Sequence, residues 1–213
     1  MADAAKADIV VDNMIEVDEA GDPISSKPFL KSAAFVSTRD IDLETWVAFN
    51  HPMKRRDCLG YLKPLIRRTK LAESGARYDP ALRNSEDYYL IANLLASGAH
   101  MIYSPEPGYL YRRSVDSTSH RLKPAQTRAW LEAEKRFRSR HNGQLPASAR
   151  RALDERSRSL RDVNQFVAAV DAVKGKKIGS LLGVLGSDPR ASLFTLATLA
   201  KIAMGKATHR KLV

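Results

Sequence analysis

The sequence predicts an α/β chain, with a small core of few strands and helices over residues 1–120 and an α-helical extension over 121–213. Three observations carry this expectation. Ala7 to Val17 holds the β-branched residues Ile9, Val10, Val11 and Ile15, followed by the turn residues Glu19-Ala20-Gly21-Asp22-Pro23. Two further short apolar runs, Met101-Ile102-Tyr103 and Tyr109-Leu110-Tyr111, flank the breaker Pro105-Glu106-Pro107-Gly108. After Pro124 the spacing of apolar residues is helical throughout.

Taken in order, residues 1–6 read as the end of a helix and Ala7 to Val17 as a strand. Ala33 to Val36 reads as a second, short strand. Asp42-Leu43-Glu44-Thr45 opens like a helix cap before Trp46, Val47 and Phe49. The spacing of Leu65, Ile66 and Leu71 predicts a helix from Pro64 to Glu73, ending at Gly75. Ser85 is a good N-cap residue for a helix running to about Ser97, and Gly98 closes it. Beyond the two strands around Pro105 come helices over 124–141 and 146–173, separated by Asn142-Gly143. Shorter ones follow over Ile178 to Leu185 and Pro189 to Met204, the last introduced by Ser187-Asp188-Pro189.

Composition narrows the function classes. A 213-residue chain with 44% hydrophobic and 28% charged residues suits a globular protein with a real core. Its one cysteine, Cys58, excludes an internal disulfide and fits a reducing compartment. The N-terminus lacks the basic and apolar regions of a signal peptide, and no apolar run reaches the roughly 20 residues of a bilayer span. A cytoplasmic protein is expected. Charge is uneven: residues 1–120 carry 15 Lys+Arg against 17 Asp+Glu, whereas 121–213 carry 20 against 7. That positive field would attract anionic membrane or acidic partners, or simply mark a solvated helical face. Nucleic acid is the least favoured partner, because no recognition motif and few aromatics accompany the arginines.

Glu86-Asp87 is the leading candidate for chemistry. In a first helical turn both carboxylates would meet free backbone N–H groups and the positive end of the helix dipole. That favours the ionised form, which a general base needs. Plain helix capping explains the same two letters. Lys54-Arg55-Arg56 is a phosphate-capable cluster or a solvated loop.

A longer ordered set changes the weighing. Gly60-Tyr61-Leu62-Lys63-Pro64, then Gly75-Ala76-Arg77-Tyr78-Asp79, then Glu86-Asp87-Tyr88-Tyr89-Leu90, then Leu94 to Ala99 and Tyr109-Leu110-Tyr111-Arg112 follow one another within about sixty residues. This set resembles the acceptor half of family-2 glycosyltransferases of the GT-A fold, of the bacterial exopolysaccharide (succinoglycan) type. The resemblance implies a partial GT-A-like core with an acceptor helix. It implies an inverting transfer from a nucleotide-sugar donor to a polysaccharide or lipid-linked acceptor. Asp87 would be the catalytic base, with Glu86 orienting the acceptor or bracing its loop. Arg112, Arg113, Ser117 and Ser119 would lie where a closing loop approaches the donor diphosphate, and His120 would be a metal ligand or an exposed loop residue. A divalent cation (Mg or Mn) would be the cofactor, and peripheral contact with the inner face of the membrane would be the setting.

The family's nucleotide-binding units and its metal-binding Asp-x-Asp would lie upstream of the point where this chain begins, so Asp-x-Asp ligands are expected to be absent from it. The donor half would then come from a longer reading frame or from another chain. Otherwise the protein is a non-catalytic acceptor-binding or interaction module derived from a glycosyltransferase, and a basic membrane- or nucleic-acid-binding helical protein is the third class. The apolar stretches Ile178 to Leu185 and Leu193 to Met204, flanked by Lys and Arg, would either pack on the core or lie in a membrane interface.

Overall fold

The computed structural model describes residues 6–52, 57–113, 122–141 and 143–210, and its element order is mixed α/β with four strands and seven α-helices. Strands β1 (Ile9–Val17), β2 (Arg39–Asp40), β3 (Leu65–Ile66) and β4 (Met101–Arg112) form one mixed sheet in the order β2-β4-β1-β3. The two long strands run parallel at its centre, with Ile9 opposite Met101 and Val11 opposite Tyr103; β2 and β3 join the outer edges antiparallel. Alternate residues of the central pair point to opposite faces. Ile9, Val11, Met14, Met101 and Tyr103 therefore enter the main core, while Val10 and Ile102 form a small second cluster with Ala7. Both edge strands are only two residues long, which limits the unpaired edge on offer.

Three segments differ from the sequence expectation. Residues Ala33–Phe35 form a 3-10 turn, not a strand, because the Tyr103 hydroxyl holds the Phe35 carbonyl (3.1 Å) and Phe35 is drawn into an aromatic cluster with Phe49 and Tyr103. The helix expected from Pro64 starts later: Leu65–Ile66 pair with β1, and α2 covers Arg68–Ser74 before Gly75 closes it in the left-handed region (φ 64°). The two strands expected around Pro105 are one strand, β4. Its register against β1 shifts on either side of Asn13, so Pro105, Glu106 and Gly108 are absorbed as bulge residues. Past Tyr103 no strand among the described residues pairs with its outer edge, so the prolines break no ladder there. Gly108 packs so closely on Asp12 that a side chain would collide with the carboxylate.

The helices follow the apolar spacing. In α1 (Leu43–Ala48) the Asp42 side chain accepts the Thr45 N–H (2.8 Å), while Leu43, Trp46 and Val47 are buried. Helix α3 (Glu86–Ala96) buries seven residues from Tyr88 to Leu95, then turns at Gly98 into β4. Helices α4 (Pro124–Arg140) and α5 (Ala147–Lys174) pack together and continue the main core through Trp130, Phe137, Leu153, Leu160 and Val163. Each such buried side chain contributes about 1.5–3 kcal/mol relative to exposure. Helices α6 (Ile178–Ser187) and α7 (Pro189–Arg210) lean on the far half of α5. The helix end expected over residues 1–6 falls outside the described residues except for Lys6.

Candidate active site

Helix α3 ends beside the start of β4: the Ala99 N–H bonds to Leu94, and the Asp8 N–H bonds to His100. Its first turn, at the opposite end, carries Glu86 and Asp87. Ser85 occupies the N-cap position, but not in the expected manner. It sits in the left-handed region (φ 63°) and its hydroxyl makes no cap bond, because the preceding loop is held from outside. Trp130 Nε1 of α4 donates to the Asn84 carbonyl (3.2 Å) and to Asn84 Oδ1 (3.0 Å). A left-handed L-residue costs on the order of 1–2 kcal/mol, so this turn is imposed by packing.

Glu86 and Asp87 are both half-buried in the first turn. Glu86 Oε2 is buried with no hydrogen-bond partner among the described residues. The Tyr78 phenol faces Asp87. Partial burial, then the Asp87 charge and a hydrogen bond to its carboxylate, push the phenol pKa above its usual value. Asp79, next in that motif, is structural: it accepts the Ala81 N–H (2.9 Å) and pairs with Arg136 of α4 (2.6 Å), and these bonds lower its pKa.

Behind this turn stands a buried ion pair. Arg156 of α5 donates to Glu134 of α4 at 2.9 Å, each side chain only 3% exposed. Arg156 also lies over the Tyr88 ring, 3.8 Å from its centroid, and reaches the Tyr89 hydroxyl. Tyr89 in turn donates to the Trp130 carbonyl (3.0 Å) and to Glu134 (3.2 Å), and Ser157 completes the carboxylate's shell (3.0 Å). Burial raises the pKa of both tyrosines, so they stand as neutral phenols. The cluster satisfies most of its polar atoms at the cost of desolvating two charges, and it fixes the residues immediately following Asp87.

The sequence reading did not single out Arg156 or Glu134, yet a signal existed. Arg156 falls on the stripe Ala149, Ala152, Leu153, Leu160, Val163, and Glu134 on the stripe Trp130, Ala133, Phe137. Opposite charges on two inward stripes mark a buried pair.

The other candidates lie at the end of β4 or outside the described residues. Arg113 pairs with Glu16 (3.4 Å), and its backbone N–H continues the sheet to Val17. Arg112 is exposed at the end of β4. Nearby on this arm Lys63 lies over Tyr111 (5.7 Å), and Tyr61 meets Phe29 edge-on (5.7 Å). Ser117, Ser119, His120 and the Lys54-Arg55-Arg56 cluster lie outside the described residues.

The expectation that the chain lacks an Asp-x-Asp needs correction: Asp40-Ile41-Asp42 is one. It does not make a metal seat. Asp42 caps α1, Asp40 pairs with His100 Nε2 (2.9 Å), and Ile41 is buried between them. Among the described residues no group of three or more His, Cys, Asp or Glu could hold a metal ion. A cavity of about 800 Å³ between Pro52, α5 and α7 is lined by Arg158, Arg190 and Lys201 but also by Glu155 and Asp162, and it does not include Glu86 or Asp87.

No protein-family model matches the chain. It is 30% identical over 190 residues to the succinoglycan biosynthesis protein ExoO of Rhizobium meliloti (strain 1021), covering 89% of this chain and 53% of that protein. It is also 30% identical over 188 residues to the succinoglycan biosynthesis protein ExoU of the same organism, covering 86% and 53%. The chain thus spans about half the length of the curated relatives it matches. No helix among the described residues is long and apolar enough to cross a membrane.

Proposed function

We propose that this chain is the acceptor-binding half of an inverting, GT-A-type glycosyltransferase of exopolysaccharide biosynthesis, with Asp87 as the general base. The observation that carries this reading is the placement of the half-buried Glu86-Asp87 pair in the first turn of α3. The similarity to two succinoglycan biosynthesis proteins supplies the biological setting. Residues 1–120 would form the acceptor-binding part and 121–213 a basic helical extension that buttresses it.

In this reaction Asp87 accepts the proton of a sugar hydroxyl on a polysaccharide or lipid-linked acceptor. The hydroxyl oxygen forms a bond to the donor's anomeric carbon from the face opposite the leaving group. The bond from that carbon to the nucleoside diphosphate oxygen breaks, and its electron pair leaves with the diphosphate. Glu86 orients the acceptor or braces its loop. Arg112 and Arg113, with Ser117, Ser119 and His120, remain the proposed donor-facing residues. No step is assigned to a divalent cation.

The second reading is a non-catalytic acceptor-binding module at the inner face of the membrane. It is favoured by the engagement of both carboxylates of Asp40-Ile41-Asp42 in structural bonds. Titration of the 15N-labelled chain with a polysaccharide-derived oligosaccharide tests the feature common to both. Shifts centred on Tyr78, Glu86 and Asp87 support acceptor binding; a response confined to other surfaces overturns it.

A further inference from the structure

The cavity of about 800 Å³ between α5 and α7 has the size of a small-molecule site and a lining of unusual charge. Helix α5 supplies Glu155, Arg158, Ser159 and Asp162, spaced i, i+3, i+4 and i+7 on one face. Helix α7 answers with Phe194, Thr198 and Lys201, spaced i, i+4 and i+7 on its own. At one end Arg190 of α7 is engaged by Asp162 at 3.7 Å. The remaining charges are not matched in this way. Among the described residues neither Arg158 nor Lys201 has an ion-pair partner, and Glu155 has none either.

Two unpaired cations in a cavity call for an anionic group. An arginine fork beside a lysine point charge suits the oxygens of a phosphate. A bare polyanion does not fit, because the Glu155 and Asp162 carboxylates line the same space and would repel it. Those carboxylates are instead acceptors for hydroxyl groups. So is the Thr198 oxygen, whose own proton is already given to the Phe194 carbonyl (2.7 Å). The Ser159 hydroxyl can donate or accept. Half-buried Phe194 and buried Val163 add apolar surface for the carbon skeleton of a ligand. We infer that this cavity binds a small, hydroxyl-bearing phosphate ester, a sugar phosphate by size and chemistry. Its phosphate meets Arg158 and Lys201, and its hydroxyls meet Glu155, Ser159 and Thr198. Neither Glu86 nor Asp87 lines the cavity, so the inference does not rest on the glycosyl-transfer reading.

Titration of the 15N-labelled chain with glucose 1-phosphate tests it. Saturable shifts should centre on Ser159, Phe194 and Thr198. Inorganic phosphate and glucose, titrated separately, should each bind at least about tenfold more weakly, since each satisfies only part of the lining. The double variant Arg158→Gln/Lys201→Gln should weaken glucose 1-phosphate by about tenfold or more. Both side chains are exposed and unpaired among the described residues, so the variant should keep the native circular dichroism spectrum and melting temperature. The proposal is overturned if glucose 1-phosphate produces no saturable shifts at these residues, or if inorganic phosphate or glucose binds as tightly as the ester. It is equally overturned if the correctly folded double variant binds the ester as well as the native chain.

Discussion

The Arg156 guanidinium of α5 lies against the Tyr88 ring of α3 at 3.8 Å from its centroid, one residue from Asp87. The helical extension therefore does more than follow the α/β part in sequence. Through Arg156, Glu134 and Trp130 it holds both the loop before α3 and the residues just after its acidic pair.

Removing one partner of this buried pair strands the other charge. Glu134→Leu or Arg156→Met alone should destabilise the protein by roughly 3–5 kcal/mol, whereas the double variant should recover much of the loss. Urea unfolding of the four proteins checks this. A double variant destabilised by the sum of the two single losses would show that the pair is not coupled.

Gly60 offers a sterically sharper case. Asn50 Oδ1 accepts the Gly60 N–H (2.7 Å) and the Cys58 thiol (3.3 Å), and a Cβ at Gly60 would sit 2.6 Å from that oxygen. Gly60→Ala should cost about 1–3 kcal/mol and disturb the turn that presents Tyr61. Thermal unfolding of the variant, with Gly179→Ala as a control in open space, provides the measurement.

Acid sensitivity is expected from His141. Burial first, then the neighbouring Arg140 charge, lower its pKa below the 6.5 of a free imidazole, and its Nε2 lies 2.9 Å from Asn93 Oδ1. The fold prefers the neutral ring, so its contribution is present above pH 6.5 and is lost as pH falls through the lowered value. An NMR titration should place the His141 midpoint below 6.5, and His141→Gln should flatten the matching part of the stability profile. A midpoint at or above that value contradicts the assignment.

Much of this architecture was legible where a period or a cap dictates it. The β-branched run of β1, the Asp42 cap and the apolar stripes of α4 and α5 each depend on neighbours close in sequence. Ala33–Phe35 was misread because its conformation is set by Tyr103, 68 residues away from the Phe35 carbonyl it holds. The continuity of β4 was hidden by Pro105 and Pro107, which are tolerated because among the described residues nothing pairs with the strand's outer edge beyond Tyr103. In the candidate site, Glu86-Asp87 was legible as a first-turn acidic pair. The strained Ser85 cap and the Arg156–Glu134 support were not read, because they arise from contacts between distant helices.

The central claim is that Asp87 removes the acceptor proton, and one substitution addresses it. In a chain carrying this segment together with its nucleotide-binding half, Asp87→Asn should lower the transfer rate by at least about a hundredfold. Nucleotide-sugar affinity, acceptor affinity and melting temperature should stay close to those of the parent. Transfer that persists at the parent rate in a correctly folded Asp87→Asn protein would contradict the account.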